Sequence, residues 1–192
     1  KLFGIDPSSK RLKNLYRKDI KVISDFFTYK KISKFLDKKK AKIITTISMF
    51  YDLEDPLKFA RDIYDCLDEN GIWHLEQSYM PSMIKNCSYD TICHEHLEYY
   101  SSNVILNLCK KNGLKVFDIK KNDINGASKQ YYICHADSKF SINSRIINKE
   151  LLLEKKLNLT EVITFKKFIK EINILKKKLV QFLTRMQKFG KK

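Results

Sequence analysis

The chain has 192 residues, of which 43% are hydrophobic and 31% charged, and its formal net charge at pH 7 is +16. This length and apolar content are enough for one domain with a sizeable core, and they exclude disorder throughout the chain. No apolar stretch approaches the roughly 18 residues of a membrane-spanning helix, and no secretory signal is recognisable. The five cysteines are scattered without metal-site or redox spacing, which predicts reduced thiols in a cytoplasmic protein.

The positive charge is concentrated at the two ends of the chain. Residues 1–40 and residues 149–192 each carry a net charge of +9, whereas residues 41–135 carry −3. Most of the basic residues are Lys, although Arg is preferred for bidentate contacts to phosphates and bases. Nucleic acid is therefore not the expected partner, and a basic RNA-binding module is kept as an alternative.

The first 135 residues alternate short β-like runs with helical patterns. Strands are predicted at Leu2–Ile5, at Ile20–Ile23 and at 42–47, and the third, being β-branched, is expected to be buried on both faces. A helix is predicted after Asp55-Pro56, ending where Gly71 supplies a left-handed turn.

Three further strands, at 72–76, 114–119 and 130–134, follow that helix. Ser101 is expected to cap another helix, which Gly113 ends. The alternation predicts an α/β domain with a largely parallel sheet. Ligands bind such sheets at the carboxyl ends of the strands, which here means Asp6, Asp25, the 48–52 loop and the loop after residue 76.

A different pattern begins near residue 146. An apolar seam at heptad spacing predicts a long helix; its members are Phe165, Phe168, Ile172, Leu175, Leu179, Phe182 and Met186. We expect this seam to pack on a neighbouring domain or on a second copy, as in a homodimer, and a basic membrane-surface helix is the weaker alternative. The predicted organisation is a domain at 1–140 and a helical linker at 141–192; a helix-mediated assembly protein is a further alternative.

Residues 89–101 hold the densest chemistry in the sequence. In an extended segment His94 and His96 point to one side, and Cys93 and Glu95 point to the other. Imidazole can remove a proton near neutral pH, and a carboxylate can orient it. The alternatives are a surface stretch before a helix, a metal site that uses the two histidines, and a nucleophilic cysteine.

Asp6 follows the first predicted strand. In nucleotide-binding α/β units an acidic residue at this place accepts hydrogen bonds from ribose hydroxyls. Capping of the next helix is an equally good interpretation.

Taken together, these motifs resemble the S-adenosylmethionine-dependent sugar C-methyltransferase family. The resemblance runs from Phe3 to about Tyr132, and its most specific part is the His-Glu-His-Leu-x-Tyr-Tyr-Ser core at 94–101. Six more segments carry it, at 4–8, 25–27, 48–56, 71–73, 76–80 and 124–128. The resemblance implies a Rossmann-like class I methyltransferase sheet that lacks its first strand here, with helices on both faces and a long C-terminal helix after it.

The resemblance also implies roles for individual residues. The catalytic set is His96 as the base, Glu95 to orient it and His94 as the competing base. The residues implied for S-adenosylmethionine are Asp6 at the ribose, Asp25 and Phe26 at the adenine, and Ser48 and Met49 in the same crevice. The residues implied for a nucleotide-linked keto-deoxysugar are Tyr79, Asn125 and Ser128.

Residue 1 is Lys, and with the resemblance this predicts an internal fragment of a longer enzyme, which is expected to be inactive by itself. Zinc is expected only in an N-terminal domain of that enzyme, and no metal is expected in residues 1–192.

Overall fold

A computed structural model describes residues 1–37, 39–123 and 127–190. Within these ranges six strands are present: β1 (Leu2–Ile5), β2 (Ile20–Ile23), β3 (Ala41–Ile47), β4 (Leu67–Ser78), β5 (Leu114–Asn122) and β6 (Ser128–His135). The helices in the same ranges are α1 (Tyr29–Ile32), α2 (Pro56–Cys66), α3 (Met80–Asn86), α4 (Ser102–Lys111), α5 (Ser144–Lys156) and α6 (Val162–Lys188). The α/β class and the long C-terminal helix are confirmed.

The described strands form two sheets. β1 and β2 pair in parallel, and a separate four-stranded sheet has the order β3-β4-β6-β5. β3 and β4 are parallel, but β6 runs antiparallel to both of its neighbours. The prediction of a largely parallel sheet is wrong for β6, because only five residues separate the end of β5 from the start of β6, fewer than the dozen or more that a parallel crossover needs.

One face of the four-stranded sheet carries the core. Trp73 of β4 and Ile133 of β6 are fully buried there against Ile63 of α2, Ile105 of α4 and Ile147 of α5. Thus these three helices pack on one face, whereas the resemblance implied helices on both.

The opposite face of β3 is open to solvent. Ile43 is 72% exposed and Ile47 is 55% exposed, although Thr46 between them is buried. The prediction that β3 is buried on both faces is therefore wrong, because β-branched composition reports strand propensity and does not report which face has a neighbour.

α2 ends earlier than predicted. It stops at Cys66, and β4 begins at once and runs through Gly71. A Cβ on Gly71 would lie 2.8 Å from the carbonyl oxygen of Ala41 and 2.9 Å from that of Asp68. Glycine is needed here for the close approach of the backbone and not for a left-handed turn.

The predicted caps of α4 are confirmed. The hydroxyl of Ser101 accepts a hydrogen bond from the amide of Val104, and Gly113 has the left-handed φ of +72° after the helix. α4 therefore begins directly after the 89–101 segment and holds the end of that segment against the core.

α5 and α6 differ in how they contact the rest of the fold. α5 contributes the buried side chains of Ile147 and Glu154, whereas Phe168 is the buried side chain of α6. Most of the apolar seam of α6 faces solvent, including Leu175, Leu179 and Phe182. The described helices include none that is both long enough and apolar enough to cross a bilayer.

Candidate active site

The carboxyl ends of β1 and β2 bring two of the predicted acidic residues together. The carbonyl oxygen of Ile23 accepts hydrogen bonds from the amides of both Asp6 (3.1 Å) and Asp25 (3.0 Å). Nearby in the sequence, the hydroxyl of Ser9 donates a hydrogen bond to that of Ser24, at 2.8 Å. Both aspartates thus lie at the same end of the parallel pair, as the strand-end rule requires.

Asp6 caps the short 3-10 turn that follows it. Its Oδ1 accepts hydrogen bonds from the amide and from the hydroxyl of Ser8, both at 2.7 Å. These bonds use one carboxylate oxygen. Oδ2 accepts none from the part of the chain that the structure describes, so it is available to a hydroxyl of a ligand.

Asp25 is held by two donors on its own side of the sheet. Lys31 lies 2.6 Å from its Oδ1, and the amide of Phe26 donates to the same oxygen at 2.8 Å. The hydrogen bond from Lys31, followed by that from Phe26, lowers the pKa of Asp25 below its ordinary value. The adjacent ring of Phe26 is 69% exposed, while Phe27 is fixed on Phe59 at 5.1 Å between centroids.

The turn after β3 places Ser48 and Met49 next to β4. The amide of Ser48 donates to the carbonyl oxygen of Glu76 at 2.9 Å, and Ser48 adopts a φ of +53° that non-glycine residues rarely take. Met49 is half-buried against the core. This turn leads directly into Tyr51, which contacts the histidine segment.

His96 is half-buried and its ring is oriented by the main chain. Its Nδ1 lies 2.8 Å from the carbonyl oxygen of Thr91, and its ring centroid is 4.3 Å from that of Tyr51. A carbonyl oxygen can only accept, so Nδ1 carries the proton. In the neutral imidazole Nε2 is then the unprotonated nitrogen, which is the state a general base requires.

His94 and Glu95 lie on an exposed turn. The amide of His96 donates to the carbonyl oxygen of Cys93 at 3.3 Å, which closes this turn. The segment is therefore not extended at 94–95, and His94 is exposed whereas His96 is half-buried. The carbonyl oxygen of Thr91 contacts the His96 ring, whereas the side chain of Glu95, the residue expected to orient it, is exposed.

Asp52 lies in the electrostatic field of the same segment. Burial raises the pKa of Asp52 above its ordinary value, Glu95 raises it further, and His96 acts in the opposite direction. Asp52 is thus a second carboxylate near the His96 imidazole. It belongs to the 48–52 loop, which was predicted only as a ligand-binding strand end.

A cleft brings His96 together with several aromatic side chains. Its walls include Tyr51, Ser78, Tyr79, His96, Tyr99 and Tyr100. Tyr79 turns its hydroxyl away toward α5, where it donates to Glu154 at 2.9 Å, and Lys129 lies 4.7 Å from the centre of its ring. Tyr79 therefore lines the cleft with its ring and not with its hydroxyl.

Glu76 is a buried carboxylate that sequence analysis did not select as a site residue. It is 8% exposed and accepts hydrogen bonds from Asn122 (2.7 Å), Ser128 (2.8 Å) and Gln130 (2.8 Å). Burial by itself would raise the pKa of Glu76, but the three hydrogen bonds outweigh it and lower that pKa. An acidic residue at a strand end with polar residues in a later strand is the signal that points to it.

Ser128 uses its hydroxyl for Glu76, as a donor, so its predicted contact with a substrate would use its remaining acceptor capacity. Asn125, the other predicted substrate residue of this loop, lies outside the described residues.

Within the described ranges no group of three or more His, Cys, Asp or Glu side chains is arranged to hold a metal ion.

The chain is similar to known methyltransferases. A family model described as a methyltransferase domain matches residues 1–119. The curated C-methyltransferase NovU of Streptomyces niveus is 28% identical over 88 residues, which are 46% of this chain and 21% of that protein. The matched part thus spans about a fifth of this relative.

Solved structures of other proteins share the fold at low sequence identity. A LepI complex with SAM superposes with a TM-score of 0.54 and 11% identity, and covers 70% of this chain and 36% of LepI. A complex of the Haloferax volcanii Trm112 methyltransferase activator with a methyltransferase gives a TM-score of 0.53 and 12% identity, over 69% of this chain and 71% of that one.

Proposed function

Because the chain belongs to the methyltransferase domain family, we propose that it forms part of an enzyme that methylates a carbon of a nucleotide-linked keto-deoxysugar. The similarity to a C-methyltransferase supports transfer to carbon, and the cleft around His96 supports a reaction that begins with removal of a proton. The observation that carries the proposal is the hydrogen bond from His96 Nδ1 to the Thr91 carbonyl.

We infer that S-adenosylmethionine is the methyl donor, since a related fold binds SAM. The residues at the ends of β1 and β2 suit it: Oδ2 of Asp6 can accept a ribose hydroxyl, and the exposed ring of Phe26 beside Asp25 can cover an adenine. Ser48 and Met49 would border the same crevice. When bound, S-adenosylmethionine supplies a methyl group on a positively charged sulfur and departs as a neutral thioether.

The residues of the cleft supply the proton chemistry. A C–H bond next to a ketone is acidified, and His96 Nε2 accepts its proton while the electron pair stays on the substrate as an enolate. That pair forms the new carbon–carbon bond to the methyl group. The imidazolium then returns its proton to solvent, and Asp52 beside it favours the charged ring while it exists.

The test uses the full-length protein with a nucleotide-linked 4-keto-6-deoxysugar in D₂O, with and without S-adenosylmethionine. We expect deuterium to enter the carbon next to the ketone, and with the donor present we expect a product heavier by one methyl group, both measured by mass spectrometry. His96→Gln should lower both rates by roughly 100- to 10,000-fold.

His94→Gln is the matched comparison, because His94 lies on the exposed turn two residues away. We expect its exchange rate to stay near that of the native protein. A larger loss in His94→Gln than in His96→Gln would transfer the role of base to His94. Absence of both exchange and methyl transfer in the native protein would end the proposal.

A further inference from the structure

Tyr100 holds a buried hydroxyl that no described residue binds. Its side chain is 4% exposed, and its Oη has no hydrogen-bond partner in the described ranges. The other two buried tyrosines both have partners: Tyr79 donates to Glu154, and Tyr131 lies 3.1 Å from the hydroxyl of Ser102. A buried polar group without a hydrogen-bond partner costs free energy, so this hydroxyl lowers the stability of the fold.

The ring of Tyr100 is held in place by contacts that do not involve the hydroxyl. The centroid of the ring is 5.3 Å from that of Phe50. The backbone carbonyl oxygen of Tyr100 accepts a hydrogen bond from the amide of Met80 at 3.0 Å. Ser101 follows it as the cap of α4. The hydroxyl is therefore positioned in advance by packing and by the backbone.

Within the described ranges, Tyr100 is also the one residue of the cleft wall that has a buried polar side-chain atom without a partner. Among the described residues the other buried groups without partners belong to His74 and Gln77, and neither is part of the wall that contains His96. Burial, reinforced by the charge of Glu98, raises the pKa of Tyr100 far above neutral pH. Its hydroxyl therefore remains protonated and is a donor.

We propose that the hydroxyl of Tyr100 donates a hydrogen bond to the carbonyl oxygen of the substrate and stabilises the negative charge that develops there. This inference rests on the proposed function, since it assigns a group to the enolate that His96 would generate. As the C–H bond breaks, negative charge moves to the carbonyl oxygen. A fixed donor in a site shielded from water lowers the energy of that charge, and its own proton stays on the tyrosine.

Tyr100→Phe in the full-length protein tests this role, because the substitution removes the hydroxyl and keeps the ring that packs on Phe50. We expect kcat for methyl transfer to fall by about 100- to 1,000-fold with little change in KM, as for the loss of one donor to an oxyanion. Deuterium exchange without S-adenosylmethionine should fall by a similar factor. The melting temperature should stay equal or rise, because an unpartnered buried hydroxyl is lost.

Tyr131→Phe is the matched control. It also removes a buried tyrosine hydroxyl, but one that is paired with Ser102 and lies outside the cleft wall. We expect a lower melting temperature and unchanged exchange per folded molecule.

The results separate the two proposals. If the native protein exchanges and methylates while Tyr100→Phe does so at the same rate, the role of Tyr100 is wrong and the proposed function stands. If Tyr100→Phe melts several degrees lower, the hydroxyl is structural and the inference is also wrong. If the native protein shows neither reaction, both proposals fail together.

Discussion

At the scale of single residues, the site depends on atoms whose hydrogen-bond partners are far away in the sequence. Glu76 of β4 is bonded to Asn122 of β5 and to Ser128 and Gln130 of β6, so one carboxylate holds both ends of the 123–127 connection. The position of Ser128 beside the cleft therefore depends on Glu76. The hydrogen bonds of Glu76 also make the stability of the fold dependent on pH.

We predict that Glu76→Gln lowers the free energy of unfolding by about 1.5–3 kcal/mol at neutral pH. The glutamine amide is neutral and has only one acceptor oxygen, so it cannot replace a charged carboxylate that accepts three hydrogen bonds. The pKa of Glu76 is lower in the folded state than its ordinary value of 4.5. The stabilisation is thus present above about pH 4.5 and is lost as the pH falls through the folded-state pKa. Urea titrations of both proteins from pH 7 to pH 3 should show their difference shrinking, and a constant difference would contradict the prediction.

Gly71 gives a second prediction at this scale. Gly71→Ala would place a Cβ 2.8 Å from the carbonyl oxygen of Ala41, a backbone atom that cannot move without shifting β3. We expect a loss of about 1–3 kcal/mol in thermal or chemical unfolding. Gly4→Ala is the control, since its Cβ would meet nothing closer than Ile20 at 3.6 Å; equal effects at the two glycines would contradict the argument.

At the scale of secondary-structure elements, α5 contacts the site although the sequence analysis assigned it to the linker. Lys129 and Glu150 form an ion pair at 2.6 Å with side chains 6% and 13% exposed. Glu154 accepts hydrogen bonds from the amides of Ser102 and Asn103 at the start of α4, as well as from Tyr79. α5 therefore fixes one wall of the cleft and the first turn of α4.

We predict that Glu150→Gln destabilises the fold by about 3–5 kcal/mol, because the buried charge of Lys129 would lose its partner. Differential scanning calorimetry measures the effect. Asp62→Asn breaks the more exposed Lys58–Asp62 pair and should leave the melting temperature nearly unchanged. Similar losses in both variants would show that α5 is not held by this buried pair.

At the scale of the whole molecule, α6 presents an apolar seam together with a high charge. The helix carries eight Lys or Arg residues and one Glu, and Leu175, Leu179 and Phe182 of its seam are exposed. Apolar seams of this kind are covered by protein in stable assemblies. A second copy would bring two such positive helices together, so salt should govern the association.

We predict that the full-length protein forms a homodimer through α6 and that dimerisation strengthens between 0.05 M and 0.5 M NaCl, because salt screens the repulsion. Sedimentation equilibrium measures it. Leu179→Glu should weaken the dimer by placing a charge in the seam, whereas Lys177→Glu, an exposed position outside the seam, should not. A monomer at every salt concentration would exclude the homodimer.

The sequence alone determined what depends on neighbours along the chain. β1, β2 and the caps of α4 follow from local strand propensity, from Ser101 and from Gly113, and the histidine cluster is visible in one short segment. Tertiary structure decided the antiparallel placement of β6, the free nitrogen of His96, the role of Glu76 and the contacts of α5. Each of these depends on which groups meet in space, and neither periodicity nor propensity records such partners.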